Sequence, residues 1–405
     1  MAENAQTQQN ASGIIDLIKS IPVKKISIKE LLTPDNKLVG LIGIVLLVVY
    51  LIGAAIALIH GHHAYGVTRE HPWGLLIVMY IFFVGTSTGL AIIGSFGHIF
   101  GIKIFNHFGL RVSLLALTML LPGFAIILLE IGHPITMMIY NMLSPGLTSA
   151  IWWMGTLYTF VLIFLIGEFV LGLAGEHKIS RLLGIGGLVA DVAAFSTLGS
   201  IFGYLVARPA VNGPFLPLYF ILTAMVAGSF LIFLVYGIKY KNNFPEDIKN
   251  MLTTLAKVLG LLLAVLMFFD FWAIMTGIYG HLPERGNTIM YILSTKSYWI
   301  GEILLGAVIP FAIILLSKGK NLGALSVASF FGLVGIFFMR YDMVHNAQVF
   351  PMQTMKIREY QLPPSLVEYA PSSAEWMIAL GAIGIAILLY QVGSKLFDLE
   401  AHDDH

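Results

Sequence analysis

The sequence contains no cysteine and very little charge. Of its 405 residues, 11% are charged and 58% are hydrophobic, and the mean hydropathy is +0.86. Without cysteine, this chain forms no disulfide, ligates no iron–sulfur cluster through thiolates and carries no c-type haem attachment site. Soluble domains are about 25% charged, so too few charges are present to cover a water-exposed surface. The composition therefore predicts an integral membrane protein.

Ten apolar segments are long enough to cross the roughly 30 Å hydrocarbon core of a bilayer. Each must be helical, because lipid offers no partner for backbone N–H and C=O groups. The predicted fold is all-α and polytopic, with both termini on the same side because the number of crossings is even. The predicted helices cover residues 39–60, 73–97, 110–130, 149–173, 183–206, 215–238, 258–279, 298–317, 322–340 and 375–394.

Lysine and arginine are unequally divided between the two sides of this topology. If the N-terminus is inside, 16 of the 23 lie in inner segments and seven in outer segments. The positive-inside rule then predicts a cytoplasmic-membrane protein with both termini in the cytoplasm. The predicted regions are a cytoplasmic N-terminal segment (1–38), a transmembrane domain (39–394) that includes an outer loop (341–374), and a cytoplasmic tail (395–405).

Helices two to five resemble helices six to nine in their landmark residues. The matched pairs are Pro72 with Pro217, His133 with His281, and Trp153 with Trp299, at offsets of 145, 148 and 146 residues. Near-equal offsets predict two parallel four-helix bundles, 73–206 and 215–340, flanked by helices one and ten.

Ionisable groups inside a membrane are costly and are functional candidates by default. In the first bundle, Glu130 ends the third helix on the outer side, and His133 follows it. The second bundle has a larger polar set towards its outer end: Asp270, His281, Glu302, Arg340, Asp342, His345 and Gln348. The inner half of the first bundle has a smaller set, a candidate proton route: His98, Glu168 and Asp191.

Each of these residues also has a purely structural interpretation. A pair of Glu130 with Arg340 would only hold two helices together, and Glu302 could snorkel to water. Asp270 is harder to explain in this way, because a carboxylate twelve residues into its helix needs a partner, a proton or a water cavity. We expect Arg340 to be its counter-charge, linked through water.

Haem and metal sites are not expected from this sequence. A bis-histidine haem needs imidazoles that face each other from helix interiors, whereas the candidate histidines here lie at helix ends. The "HGHH" stretch (60–63) has no companion cluster of metal ligands. No P-loop or dinucleotide fingerprint is found, and nothing indicates nucleic-acid binding.

Several short patterns, in order along the chain, resemble the NrfD-like family of membrane subunits from polysulfide reductase and related respiratory complexes. These patterns are "HPWGLLIVMYIFFVGTSTG", "EIGHP", "SPGLTSAIWWMG", "NGPFLPLYFILTAMVAGS" and "RYDMVHNAQVFP". The resemblance covers about residues 40–395. The ten-helix count resembles the longer branch of the family, which includes DsrP-type, QrcD-type and alternative-complex-III subunits.

The resemblance implies a subunit without haem or iron–sulfur cluster that binds menaquinone or ubiquinone. It also implies a ferredoxin-like iron–sulfur partner and other redox subunits, in sulfur- or sulfite-linked metabolism, with proton translocation in some members. The chain is not expected to be active alone.

A quinone headgroup needs hydrogen-bond donors and a proton-exchanging group at an apolar mouth. The expected site is the outer end of the first bundle, with Glu130 and His133 as the proton-exchanging pair beside Trp73, Trp153 and Tyr158. Glu130 stands where the family more often has aspartate, and "GHP" replaces "GRP", which weakens any expectation of an arginine contact.

Two other functions remain open on the sequence alone. A secondary transporter would also combine internal repeats with buried acids, although no matching pair of helices is interrupted at the midplane. A purely structural anchor would use its charges only to hold helices together. Copurification of an iron–sulfur protein separates these alternatives, and the proline-containing loop 341–374 is the predicted docking arm for that partner.

Overall fold

The structure is a computed structural model that describes Lys24 and residues 37–280, 282–350 and 366–399. Ten helices in this part of the chain are long and apolar enough to cross a membrane, which confirms the predicted number. They are α1 (Lys37–His60), α2 (Leu75–His98), α3 (Gly109–Glu130), α4 (Ala150–Leu173), α5 (His177–Gly203), α6 (Phe215–Tyr240), α7 (Glu246–Tyr279), α8 (Ser297–Ser317), α9 (Leu322–Asn346) and α10 (Ser373–Leu396).

Some predictions fall on residues outside the described part. His281 is one of them, and so are residues 351–365 of the predicted docking arm and nearly all of the N-terminal segment. We name the two ends of the helix bundle by their contents. The terminal face is where α1 begins and α10 ends, and the distal face is opposite.

Helix α9 is longer than predicted, and this changes the position of Arg340. The helix continues to Asn346 instead of ending at residue 340. Polar residues in its last turn and just beyond it have close partners, since Asn346 donates to Asp342 Oδ1 over 3.2 Å and Gln348 donates to the Val344 carbonyl over 2.8 Å. Arg340 is therefore six residues, or about 9 Å, inside the helix end. The predicted outer loop correspondingly starts after the helix, not at residue 341.

Helices α7 and α8 also differ from expectation. Helix α7 begins at Glu246, well before the predicted residue 258, because its first turn is polar and hydropathy does not detect it. Helix α8 starts as a π-helix over Ser297–Val308 and continues as an α-helix over Ile309–Ser317. π-helical segments are rare and occur often at functional sites. Glu302 lies within this segment.

The eight central helices form two quartets with the same pairing. In the first quartet α2 packs on α3 and α5, and α4 packs on α3 and α5. In the second, α6 packs on α7 and α9, and α8 packs on α7 and α9. Helices α1 and α10 form a separate pair that packs on the first quartet mainly through α10. This arrangement agrees with the proposed repeat, which remains a prediction.

A matching detail occurs at the distal face of both quartets. A short helix, Pro134–Leu143, follows α3, and a second one, Pro283–Ser294, follows α7. In the next helix of each quartet a tryptophan indole donates to the carbonyl six residues earlier. Trp153 donates to Leu147 over 2.9 Å, and Trp299 donates to Leu293 over 2.8 Å.

The two quartets meet where α2 and α5 pack against α6, and α2 packs against α9. Gly89 of α2 and Gly228 of α6 allow the two backbones to approach closely. A Cβ atom on Gly89 would lie 1.8 Å from the Ala224 carbonyl oxygen, and one on Gly228 would lie 2.5 Å from the Gly89 carbonyl carbon. Small residues at such crossings maximise packing between helices in lipid, where no hydrophobic driving force operates between them.

Candidate functional site

The distal mouth of the first quartet contains the predicted proton-exchanging pair. Glu130 is the last residue of α3 and is only 8% exposed. His133 lies three residues later, at the start of the short helix Pro134–Leu143, and is exposed. The carboxyl group is thus shielded from water while the imidazole is accessible to it. The described contacts include no pairing of Glu130 with Arg340, so the structural interpretation of that pair is wrong.

The three aromatic residues predicted beside this pair lie at different depths. Trp73 is half-buried at the entry to α2 and packs edge-on against Phe202, with ring centres 5.2 Å apart. Trp153 is 42% exposed in the first turn of α4. Tyr158 is five residues further along α4, about 7.5 Å deeper, and is buried between Tyr80 and Phe124. Tyr158 therefore belongs to the interior of the quartet and not to its mouth.

A fully buried carboxylate on α10 organises the loop before α2. Glu375 is 1% exposed and accepts four hydrogen bonds within the described structure. Three donors are backbone amides, those of Gly66 (2.7 Å), Ser372 (2.9 Å) and Leu75 (3.3 Å). The fourth is the Tyr369 hydroxyl at 2.6 Å. Glu375 also lies near enough to Glu130 to interact with it electrostatically.

Two histidines meet at the distal face. A hydrogen bond of 2.9 Å joins His71 Nε2 and His345 Nδ1, and the Tyr369 ring stacks on His71 with centres 4.3 Å apart. His71 Nδ1 is buried and has no hydrogen-bond partner among the described residues. Burial, reinforced by the neighbouring His345, lowers the pKa of His71 to about 4. His71 is therefore neutral at physiological pH.

Two long side chains hold the entry of α2 to the segment after α9. The Gln348 amide pairs with both backbone groups of Trp73, accepting from N–H over 3.1 Å and donating to C=O over 3.0 Å. Arg208 donates to the carbonyls of Glu70 (3.0 Å) and Phe350 (2.7 Å), and burial lowers its pKa. The predicted candidates His345 and Gln348 thus connect the two quartets at the distal face.

The predicted acids of the second quartet lie around Arg340. The Arg340 side chain is 1% exposed, donates to Thr223 Oγ1 and lies over the Phe220 ring, 4.6 Å from its centre. It interacts electrostatically with Tyr219 and Glu302. Glu302 is 7% exposed, so it does not snorkel to water.

Asp270 interacts with this group through an aromatic neighbour. It interacts with Tyr219 and with Glu302. The described contacts show no direct bond between Asp270 and Arg340, and Tyr219 interacts with both. Asp342 accepts a hydrogen bond of 2.7 Å from Ser297 at the start of α8, and it also interacts electrostatically with Glu302.

The three inner candidates of the first quartet surround one cavity. It has about 410 Å³ of empty space, including its opening, and is lined by α2, α3, α4 and α5. His98 Nε2 and Glu168 Oε1 are 3.1 Å apart on its wall, and Ser113 donates to the same Glu168 oxygen over 3.2 Å. Asp191, 2% exposed, lines the cavity and accepts from Thr88 over 2.6 Å. His98, Glu168 and Asp191 therefore lie around one cavity, and the proton route through them stays a prediction.

Comparison with known proteins identifies the family of this chain. Residues 63–352, well over half of the chain, match the family model described as "Polysulphide reductase, NrfD". The chain belongs to the NrfD family. The matched segment runs from just before α2 to just after α9, so it contains both quartets and the distal stretch that follows Arg340.

Three relatives of this NrfD protein are, by name, components of oxidoreductases. One component of the selenate reductase of Mesobacillus selenatarsenatis is 26% identical, over 88% of this chain and 94% of that protein. The Hdr-like menaquinol oxidoreductase integral membrane subunit of Archaeoglobus fulgidus is 24% identical, over 82% and 86%. A putative membrane subunit of the dimethyl sulfoxide reductase of Halobacterium salinarum is 25% identical, over 89% and 91%.

Several residues of this NrfD protein that shape the site were not predicted. The sequence does contain a signal for Glu375, because Ser372 and Glu375 have the Ser-x-x-Glu spacing of a helix-capping box. The structure contains this capping box at the start of α10. Tyr219 and Thr223 carried no such signal, since tyrosine and threonine are ordinary residues within an apolar helix. Their proximity to Arg340 depends on how α6 packs against α9.

Proposed function

We propose that this NrfD protein is the quinone-reactive membrane subunit of a respiratory redox complex. It exchanges electrons between membrane quinone and a partner subunit. Support comes from the family and from three relatives that are named as components of reductases or of a menaquinol oxidoreductase, two of them explicitly as membrane subunits. The name of the archaeal relative makes menaquinol the first quinone to test.

The observation that best supports a quinone site is the buried Glu130 carboxyl beside a lipid-accessible apolar edge. The short helix Pro134–Leu143 that follows it has strongly exposed apolar side chains, among them Ile135 at 73% and Met142 at 83%. An isoprenoid quinone requires such an apolar approach together with a small number of polar groups at its headgroup. The residues at this mouth therefore fit the ligand that the family implies.

The two titratable groups at the mouth have different surroundings and so suit different tasks. A quinol that binds here supplies two electrons and two protons. The shielded Glu130 carboxylate would accept the two protons from the headgroup one after the other, and the exposed His133 would pass each of them to water, while the two electrons go to the partner subunit. General acid–base groups need this proximity to the reacting oxygen. Trp73 and Trp153 would form apolar walls beside the pair.

This chain has no cysteine and so cannot bind a cluster through thiolates. Any thiolate-bound metal cluster that takes part in electron transfer must therefore belong to the partner subunit. An iron–sulfur protein of ferredoxin type is the proposed partner. Selenate and dimethyl sulfoxide appear in the names of the relatives, which indicates that the other subunits determine the terminal substrate. A sulfur-linked reaction remains a prediction for this complex.

The proposal also includes a proton route through the first quartet. The cavity lined by His98, Glu168 and Asp191 would admit protons from the terminal face, which the lysine and arginine distribution assigns to the cytoplasm. Intramembrane carboxylates beside a cavity are typical of proton relays.

Paired variants in the purified complex test both the function and the position of the site. We expect Glu130→Gln to abolish reduction of the partner by menaquinol while all subunits still copurify. Glu168→Gln is the matched control, because it makes the same chemical change at the opposite face, and it should leave the KM for quinol unchanged. If Glu168→Gln raises that KM and Glu130→Gln does not, the quinone binds in the terminal-face cavity and the proposed position is wrong.

A further inference from the structure

Deeply buried polar atoms without partners lie on both sides of the junction between the two quartets. Arg340 of α9 uses Nη2 to bond Thr223, but its Nε and Nη1 have no hydrogen-bond partner among the described residues. Asp191 of α5 uses Oδ1 to accept from Thr88, and its Oδ2 has no partner in the same set. The Tyr158 hydroxyl of α4 is also unpartnered there. All three side chains are at most 3% exposed.

These groups are close to one another, although no direct bond joins them in the described structure. Asp191 and Phe195 are four residues apart and so lie on the same face of α5, one turn from each other. The Phe195 ring centre is 5.7 Å from the guanidinium carbon of Arg340. Tyr158 interacts electrostatically with both Asp191 and Arg340. Tyr158 therefore lies within electrostatic range of both unpartnered charged groups.

Leaving these atoms unpaired would cost a free energy comparable to the whole stability of a protein. Each buried and unsatisfied polar atom costs about 1–3 kcal/mol, so four of them would cost about 4–12 kcal/mol. A whole protein is stable by only about 5–15 kcal/mol. Most buried polar groups in proteins are paired with protein or with ordered water. A bound cation would be repelled by Arg340 and a bound anion by Asp191, whereas water can both donate and accept.

We propose that ordered water molecules bind at this junction, held by Arg340, Asp191 and Tyr158. Asp191 also lines the terminal-face cavity, and Arg340 interacts with Glu302 in the second quartet. The water site would thus lie between the cavity of the first quartet and the acids of the second. The proposed site does not depend on where a quinone binds.

Radiolytic labelling of the intact complex in ¹⁸O-water tests the site. Hydroxyl radicals that X-rays produce from bound water modify the side chains next to it, even when bulk water has no access. We expect Tyr158 to incorporate the label, and Phe108 to remain unlabelled. Phe108 is a suitable reference because it is an aromatic residue that is 1% exposed and packs on Phe105 with ring centres 5.3 Å apart.

Variants then assign the water to the named groups. Asp191→Leu removes an acceptor at similar volume and should abolish labelling of Tyr158. Thr88→Val removes the hydroxyl that bonds Asp191 Oδ1 but none of the unpartnered atoms, and it should leave the labelling intact. If Tyr158 in the unmodified complex is labelled no more than Phe108, the junction is dry and the proposal is wrong. The comparison of Tyr158 with Phe108 in the unmodified complex tests the proposal even if the Asp191→Leu variant fails to fold.

Discussion

Replacement of Glu375 by glutamine should destabilise the protein far more than the same change at an exposed glutamate. The carboxylate accepts four hydrogen bonds in the described structure, and it is almost fully buried. An amide keeps one acceptor oxygen and places an NH₂ group against donors. Loss of about two charge-assisted hydrogen bonds costs about 3–5 kcal/mol. The loop before α2 and the start of α10 would then separate first.

The assay is thermal unfolding of the complex in lipid nanodiscs. A loss of this size should lower the apparent Tm by roughly 5–10 °C. Glu246→Gln is the matched control, because Glu246 is exposed and pairs only with Lys249 in the described structure, over 3.2 Å. Exposed ion pairs contribute about 0–1 kcal/mol, so its Tm should scarcely change. Equal Tm values for the two variants would show that the Glu375 network does not stabilise the fold.

Three further results should follow from the described contacts. Folded His71 stays neutral down to a pKa of about 4, while the unfolded residue protonates near pH 6.5. Stability should therefore fall by up to about 3 kcal/mol as the pH drops from 6.5 to 4, and His71→Phe should remove part of that slope in pH-dependent thermal unfolding. Gly89→Ala should cost at least about 2 kcal/mol, because its Cβ would clash with the backbone of α6. The same assay would show no loss if α2 and α6 can separate freely. Gln348→Ala should cost about 2 kcal/mol by removing its bonds to Trp73, and an unchanged Tm would contradict this.

The number of helices followed from the sequence because hydropathy is a local property. A run of about 20 apolar residues must form a spanning helix whatever its neighbours are. The predicted helix ends are less accurate, also because hydropathy is a local property. The stretch after Arg340 is polar, which predicts a loop, yet the helix continues to Asn346, and Asp342, Asn346 and Gln348 find partners within or beside it. Hydropathy averaged over a sequence window does not take such hydrogen-bond partners into account.

The grouping of candidate residues was harder to predict than the residues themselves. The sequence groups His98, Glu168 and Asp191 because they share one half of one bundle, and in the structure all three line one cavity. The partner of Asp270 was not found. Tyr219 lies 51 residues earlier, in a helix whose rotation about its axis the sequence does not specify. A polar contact between helices depends on that rotation.

The distribution of polar residues along the last stretch of α9 shows how one short segment serves several neighbours. Arg340 is directed into the junction between the quartets, where it bonds Thr223. Asp342 holds the start of α8 through Ser297, and His345 reaches His71. Because each contact lies on a different helix or loop, a shift of α9 along its axis would disturb all of them at once. A charge change at Arg340 or Asp342 therefore acts on the same helix that contacts the loop before α2 through His345.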